Sequence, residues 1–180
     1  MIPPLTNHSF IYTMIFLLLP IDMIDYIKTI IAGMPKDMEG TAKIPAGSHL
    51  FKVSDNPVLL DKETAEIYHR MVMQLLYLCQ RGRPDVRTAV AFLTRRSTAP
   101  DDDDYKKLTR VMQYLQGSLD LKLVLSADGS GVVQWWVDAA YGVHYDMKSH
   151  TGGTLSLGKG SVYSYSSAQK LVSRSSTEAE

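Results

Sequence analysis

Between Thr64 and Gly117 apolar residues recur every three or four positions, and beyond Gly117 they alternate instead. The first pattern belongs to helices with one buried face, the second to half-buried strands. Tyr68, Met71, Val72, Leu75, Leu76 and Cys79 form one stripe, which predicts a helix beginning at Thr64. Pro84 at a first helical position opens a second helix, with Val86, Ala89, Val90 and Leu93 on one face. Pro100 and the run Asp101–Asp104 open a third, striped by Leu108, Val111, Met112 and Leu115 and stopped by Gly117. These stripes can pack on one another or on a neighbour outside them. Upstream, "DMIDYIKTIIAG" predicts a shorter helix from Asp22, with Ile24, Ile27 and Ile31 in phase and Gly33 as its stop. Residues 34–60 carry three prolines, two glycines and no sustained period, and read as an extended tether.

Past Gly117, "LKLVLS" and "VVQWWVDAAYG" flank "ADGSG", a turn signal that predicts a hairpin. "HTGGTLSLGKGSVYSYSSAQ" predicts two further strands, with the turn at Gly158, Lys159 and Gly160. "SSTEAE" then reads as a helix start, in which a hydroxyl cap at Ser176 and the acids Glu178 and Glu180 satisfy the first N–H groups. The expected class is α+β, with helices first and a three-stranded antiparallel meander after them. Four segments follow from this: an unassigned apolar start (1–21), a helix and tether (22–60), a helical segment (61–118) and a strand-rich segment (119–180).

Composition changes this picture little. Of 180 residues 45% are hydrophobic and 21% charged, which is ordinary for a globular chain. Nineteen basic and nineteen acidic residues cancel, so any attraction to nucleic acid must come from local patches. A single cysteine, Cys79, cannot form an internal disulfide, which favours a reducing intracellular compartment, cytoplasm or nucleus, over secretion. The apolar run "FIYTMIFLLL" (10–19) is half of the roughly 20 residues that a spanning helix needs. It also lacks basic residues before it and a small-residue cleavage site after it, so neither a signal peptide nor stable membrane association is expected.

Candidate chemistry centres on carboxylates and arginines. Asp138 ends the strand "VVQWWVD", where a buried carboxylate would need a partner or a metal, although an Asp at a strand end also serves as a turn cap. Glu178 and Glu180 suit a helix N-terminus, but with Asp138 they could also share a divalent ion. The run Asp101–Asp104 fits helix capping better than metal binding. Arg81, Arg83 and Arg87, with Arg95 and Arg96 further on, suit either phosphate contact or a solvated helix face. His144 and His150 lack partners at metal spacing, and "GKG" lacks the flanking residues of a P-loop.

Taken in order, "LLYLCQRGRPDVRTAVAFLTRRSTAP", "YKKLTRVMQYLQGSLDLKLVL", "WWVDAAYG", "DMKSHTGGTLSLGKGSVYSYSSAQK" and "SSTEAE" resemble the Pol polyprotein of copia-type LTR retrotransposons. The likeness spans residues 64–180, more faintly from residue 22, and runs from the end of the reverse transcriptase into the ribonuclease H domain. It implies a thumb- or connection-like helical segment followed by the first half of a ribonuclease H-like fold. It also implies that Asp138 and Glu180 are catalytic, metal-binding carboxylates and Glu178 a non-catalytic neighbour. In the family such residues join two further acids to hold two Mg²⁺ ions that cut the RNA strand of an RNA–DNA hybrid. The implied partners are RNA–DNA hybrid and the remaining Pol domains. Arg81, Arg83, Arg87 and Lys148 are the candidate nucleic-acid contacts, with Ser149 and Thr151 of "KSHTGG" as structural or hybrid-contacting residues. The polymerase's Tyr-x-Asp-Asp motif is absent from the sequence. The strand and helix bearing the remaining ribonuclease H carboxylates would lie beyond Glu180, so the chain is expected to be inactive alone, with an exposed sheet edge. A non-catalytic module that binds nucleic acid or protein is the alternative expectation.

Overall fold

The structure, a computed structural model, describes residues 18–180. Most of the N-terminal apolar run therefore lies outside the described residues. Leu19–Ile21 forms a short strand, β1, and α1 (Ile24–Ala32) follows with Gly33 at its end. Of the predicted stripe, Ile27 is buried and Ile31 packs partly buried on the core, while Ile30, outside the stripe, is buried too.

Three longer helices carry the core. Asp61 caps α2 (Lys62–Arg81) by accepting the N–H groups of Glu63 and Thr64. A 3₁₀ turn at Pro84–Val86 leads into α3 (Arg87–Arg96), and Asp101 caps α4 (Asp102–Gln116) through a reciprocal capping box with Asp104. The stripes pack on one another: Tyr68, Leu75, Val90, Leu93, Leu108 and Met112 belong to one buried cluster. The Tyr68 hydroxyl donates to the Leu93 carbonyl at 3.0 Å, so the core's buried phenol has its partner. The tether is not a free linker. Met38 and Leu50 insert into the same cluster, and Gln113 of α4 donates to the Glu39 carbonyl.

The strand-rich part differs from the predicted hairpin. β2 (Leu123–Ala127) and β3 (Gln134–Ala140) do not pair with each other. β2 lies between β1 and the two-residue β5 (Gly158–Lys159), whereas β3 begins a separate antiparallel sheet ordered β3–β4–β6, with β4 at His150–Ser156 and β6 at Tyr163–Ala168. The "ADGSG" stretch still turns, with Gly129 and Gly131 at positive φ, but it redirects the chain from one sheet to the next. The predicted turn at Gly158–Gly160 likewise doubles as a strand. The chain is thus α+β, with a helical unit, a small sheet and a three-stranded meander. Among the described residues no helix is long and apolar enough to cross a membrane.

Gly160, just after β5, lies hard against β2. Its φ is +76°, and a Cβ there would overlap the Val124 carbonyl oxygen of β2. Backbone cannot swing aside as a side chain can. Gly160→Ala is expected to cost about 2 kcal/mol or more, combining left-handed strain with that overlap. Urea denaturation checks this, and an unchanged midpoint would show that β5 is not held against β2.

Candidate nucleic-acid interface

Alternation along β3 places Trp136 and Asp138 on one face and Trp135 and Val137 on the other. Asp138 shares its rank with Gly152 and Ser166. The Ser166 hydroxyl donates to Thr88 of α3 at 3.2 Å, so this is the face turned toward the helical unit. A cavity of about 600 Å³ remains between them, lined by Arg87, Thr88, Trp136, Asp138, Thr154 and Ser166 among others. An adjoining cavity of about 470 Å³ shares Arg87 and adds Arg81, Cys79 and Tyr163. Burial pushes the Cys79 thiol up to about 11, so it stays protonated in that wall.

Asp138 is exposed rather than buried, and it sits on an edge strand, not a central one. Its Oδ1 accepts the N–H of the next residue, Ala139, at 2.9 Å, and it does not end the strand as expected, because β3 runs on to Ala140. The helix that follows the meander, α5 (Ser176–Ala179), rests against β3. Ser175, not Ser176, is its cap, and the Glu178 carboxylate accepts the Arg174 N–H at 2.6 Å. Glu178 therefore serves the helix start. Glu180 is exposed at the end of the same turn, and no hydrogen bond joins it to Asp138.

A hard divalent cation takes about six oxygens, from carboxylates, carbonyls and water. Among the described residues no group of three His, Cys, Asp or Glu side chains lies close enough to hold one. Asp138 and Glu180 by themselves do not make up a two-ion site.

The basic candidates separate sharply. Arg83 is 1% exposed and points inward, where Asp85, the Ser118 carbonyl and the Ser118 hydroxyl take up its guanidinium. Tyr114 completes that brace by donating to Asp85 at 2.8 Å. Arg81 lies over the Tyr77 ring at the surface, and among the described residues Arg87 makes no ion pair. Lys148 pairs with Asp146 at 3.0 Å, and Asp146 also meets Arg95 at 3.4 Å. Ser149 is buried and accepts the Gly142 N–H, and Thr151 accepts from Gln169, so both brace the sheet.

Several site-forming residues carry no periodic signal in the sequence. Gln169 donates to Thr151 at 2.8 Å and to the Ala179 carbonyl at 2.6 Å, tying α5 to the sheet. His144 and His150 are buried in direct contact, Nε2 to Nδ1 at 3.0 Å, and His150 reaches Ser166 at 2.6 Å. Together with Phe51 and Phe92 they form the joint between helices and sheet. Residues six apart share a face only in a continuous strand, but β4 starts at His150 and leaves His144 in the loop before it, so only the folded loop reveals the pair.

With this geometry in place, comparison with known proteins supplies the class. The chain is 28% identical over 142 residues to a Ty5-1 transposon protein of Saccharomyces cerevisiae, matching 72% of this chain and 46% of that one. It is 36% identical over 114 residues to the retrovirus-related Pol polyprotein from transposon RE2 of Arabidopsis thaliana, matching 63% of this chain and 8% of that one. It is also 31% identical over 114 residues to secreted RxLR effector protein 161 of Plasmopara viticola, matching 63% of this chain and 80% of that one. No protein-family model and no solved structure matches the chain. Its homologues thus include Ty5/copia-type transposon Pol proteins, and the chain spans less than half of the length of the two transposon proteins just named.

Proposed function

We propose that this chain is the stretch of a retrotransposon Pol polyprotein that joins the end of the reverse transcriptase to a ribonuclease H-like sheet, and that it seats an RNA–DNA hybrid between the two. The observation that carries this reading is that Arg87 and Asp138 line one cavity between helices and meander. Arg81 and Arg87 line the next. Phosphate contacts from guanidinium groups along such a path supply affinity without reading sequence. Three antiparallel strands followed by a short helix, with Asp138 on the first strand and Glu180 next after the helix's last residue, agree with the order that the family resemblance implies.

In this reading Asp138 and Glu180 face the hybrid but do not cut it in the isolated chain, because two-metal hydrolysis needs more carboxylates than the described residues bring together. Incubation with labelled hybrid and Mg²⁺ or Mn²⁺ should leave the RNA strand intact. Hydrolysis abolished by Asp138→Asn would instead reveal a working site. In EDTA, Asp138→Asn should bind hybrid about two- to threefold more tightly, since it removes a carboxylate that repels phosphate at short range. Unchanged or weaker binding would place the hybrid elsewhere.

A further inference from the structure

The other face of the meander carries a row of aromatic side chains. Trp135, Leu155 and Tyr163 share one rank there, and Val137, Gly153 and Tyr165 share the next. A Cβ on Gly153 would run into the Tyr165 ring, so that ring lies across the sheet at the glycine. Trp135 is only 18° from the Tyr165 plane and 12° from the Tyr163 plane, with centroids 6.0 and 6.1 Å away. Tyr163 and Tyr165 are inclined 30° to each other, so the three rings share one surface with Trp135 closest to parallel with both, and Trp135 and Tyr163 remain 46% and 54% exposed.

Exposed rings alone would suit many partners, and the neighbouring charge selects among them. Tyr163 also lines the cavity that holds Arg81 and Arg87, and no acidic side chain lines that cavity. A surface with two guanidinium groups feeding onto a row of aromatic faces has the two parts that single-stranded nucleic acid requires, cations for phosphates and rings for bases.

We infer that Trp135, Tyr163 and Tyr165 form a stacking platform for the bases of single-stranded nucleic acid whose backbone is held at Arg81 and Arg87. This rests on the proposed hybrid path only in sharing those arginines. Bases stack on Trp135 and Tyr163 in any sequence, because every base has a π-face. The bases thus lie over the side of the sheet opposite Asp138, where they escape the carboxylate.

The chain's two tryptophans make the test optical. In Trp136→Phe protein, Trp135 is the only indole, and titration with an oligothymidine of about 12 nucleotides, within the usual site size, should quench it saturably. Tyr163→Leu should weaken that binding by about five- to hundredfold, the loss of one base stack, whereas Tyr163→Phe should retain it. Three results would overturn the platform: oligothymidine bound with no change in Trp135 emission, equal binding by Tyr163→Leu, or a concentration-dependent blue shift without DNA, which would mark the face as a contact between copies. Failure of hybrid binding with quenching intact would sink the proposed function and leave the platform standing.

Discussion

Replacing Arg96 with methionine is expected to destabilise the protein by about 3–5 kcal/mol, the usual effect of leaving buried charge without its partner. Arg96 closes α3 and faces the start of α4, where its Nε meets Asp104 at 2.9 Å and its Nη2 meets Asp101 at 3.1 Å. Both acid side chains are 2% exposed. They are engaged in the capping box, Asp101 accepting from the Asp103 and Asp104 N–H groups and Asp104 from the Asp101 N–H. Burial raises the Asp104 pKa, while hydrogen bonds from the Asp101 N–H and Arg96 oppose the rise. Without Arg96 two carboxylates remain in the interior and the junction between α3 and α4 loosens. Arg96→Met/Asp104→Asn should recover part of the loss, and a double-mutant cycle by urea denaturation measures the coupling. Strict additivity of the two substitutions would show that the ion pair does not hold these helices together.

Acidification should open the joint between helices and sheet. Burial, with positive His144 and Arg95 nearby, pushes His150 from an ordinary value of 6.5 down to about 4. Burial also lowers His144, reinforced by Arg95 and Lys148 and opposed by Asp146. Above pH 6.5 His150 is neutral in both folded and unfolded chains, so it makes stability no more pH-dependent there. Between 6.5 and about 4 only the unfolded chain takes up the proton, so stability falls as pH falls and levels off below the folded value. That shift corresponds to about 3 kcal/mol from His150. His150→Gln keeps a polar group toward Ser166 and His144 but removes the titration. Its denaturation midpoint should therefore vary less between pH 7 and pH 4 than the wild type's. Equal pH dependence in both proteins would rule out His150 as the source.

Much of the helical unit can be read from the sequence, because each stripe buries against the others and periodicity is a direct consequence of such packing. Even there Leu78 is missed, since α2 touches neighbours over more than one narrow stripe and buries Leu78 while leaving Leu76 partly open. The tether's irregular composition hides Met38 and Leu50, whose burial depends on the groove that the helices offer and not on local pattern. Strand pairing is harder. The turn residues of "ADGSG" are visible, but whether β2 pairs with β3 or with β1 and β5 is decided by contacts far apart in the chain. The site is similarly divided. Arg81, Arg83 and Arg87 look equivalent in sequence, yet the 3₁₀ turn at Pro84–Val86 follows an Arg83 turned inward to Asp85 and Ser118. Asp138 is recognisable from its motif, while its exposure on an edge strand could not be inferred from the apolar residues around it.

The salt dependence of RNA–DNA hybrid binding addresses the proposed seat most directly. Fluorescence anisotropy with a labelled hybrid, from low to physiological salt, should give a linear fall of log affinity with log salt. Arg81→Ala and Arg87→Ala should each lower that slope by about one, and together by about two, as expected for two phosphate contacts. Arg83→Lys, altering a buried brace, should leave the slope unchanged. A wild-type protein that binds no hybrid at low salt, or a slope that ignores Arg81 and Arg87, would contradict a hybrid seated between the helices and the sheet.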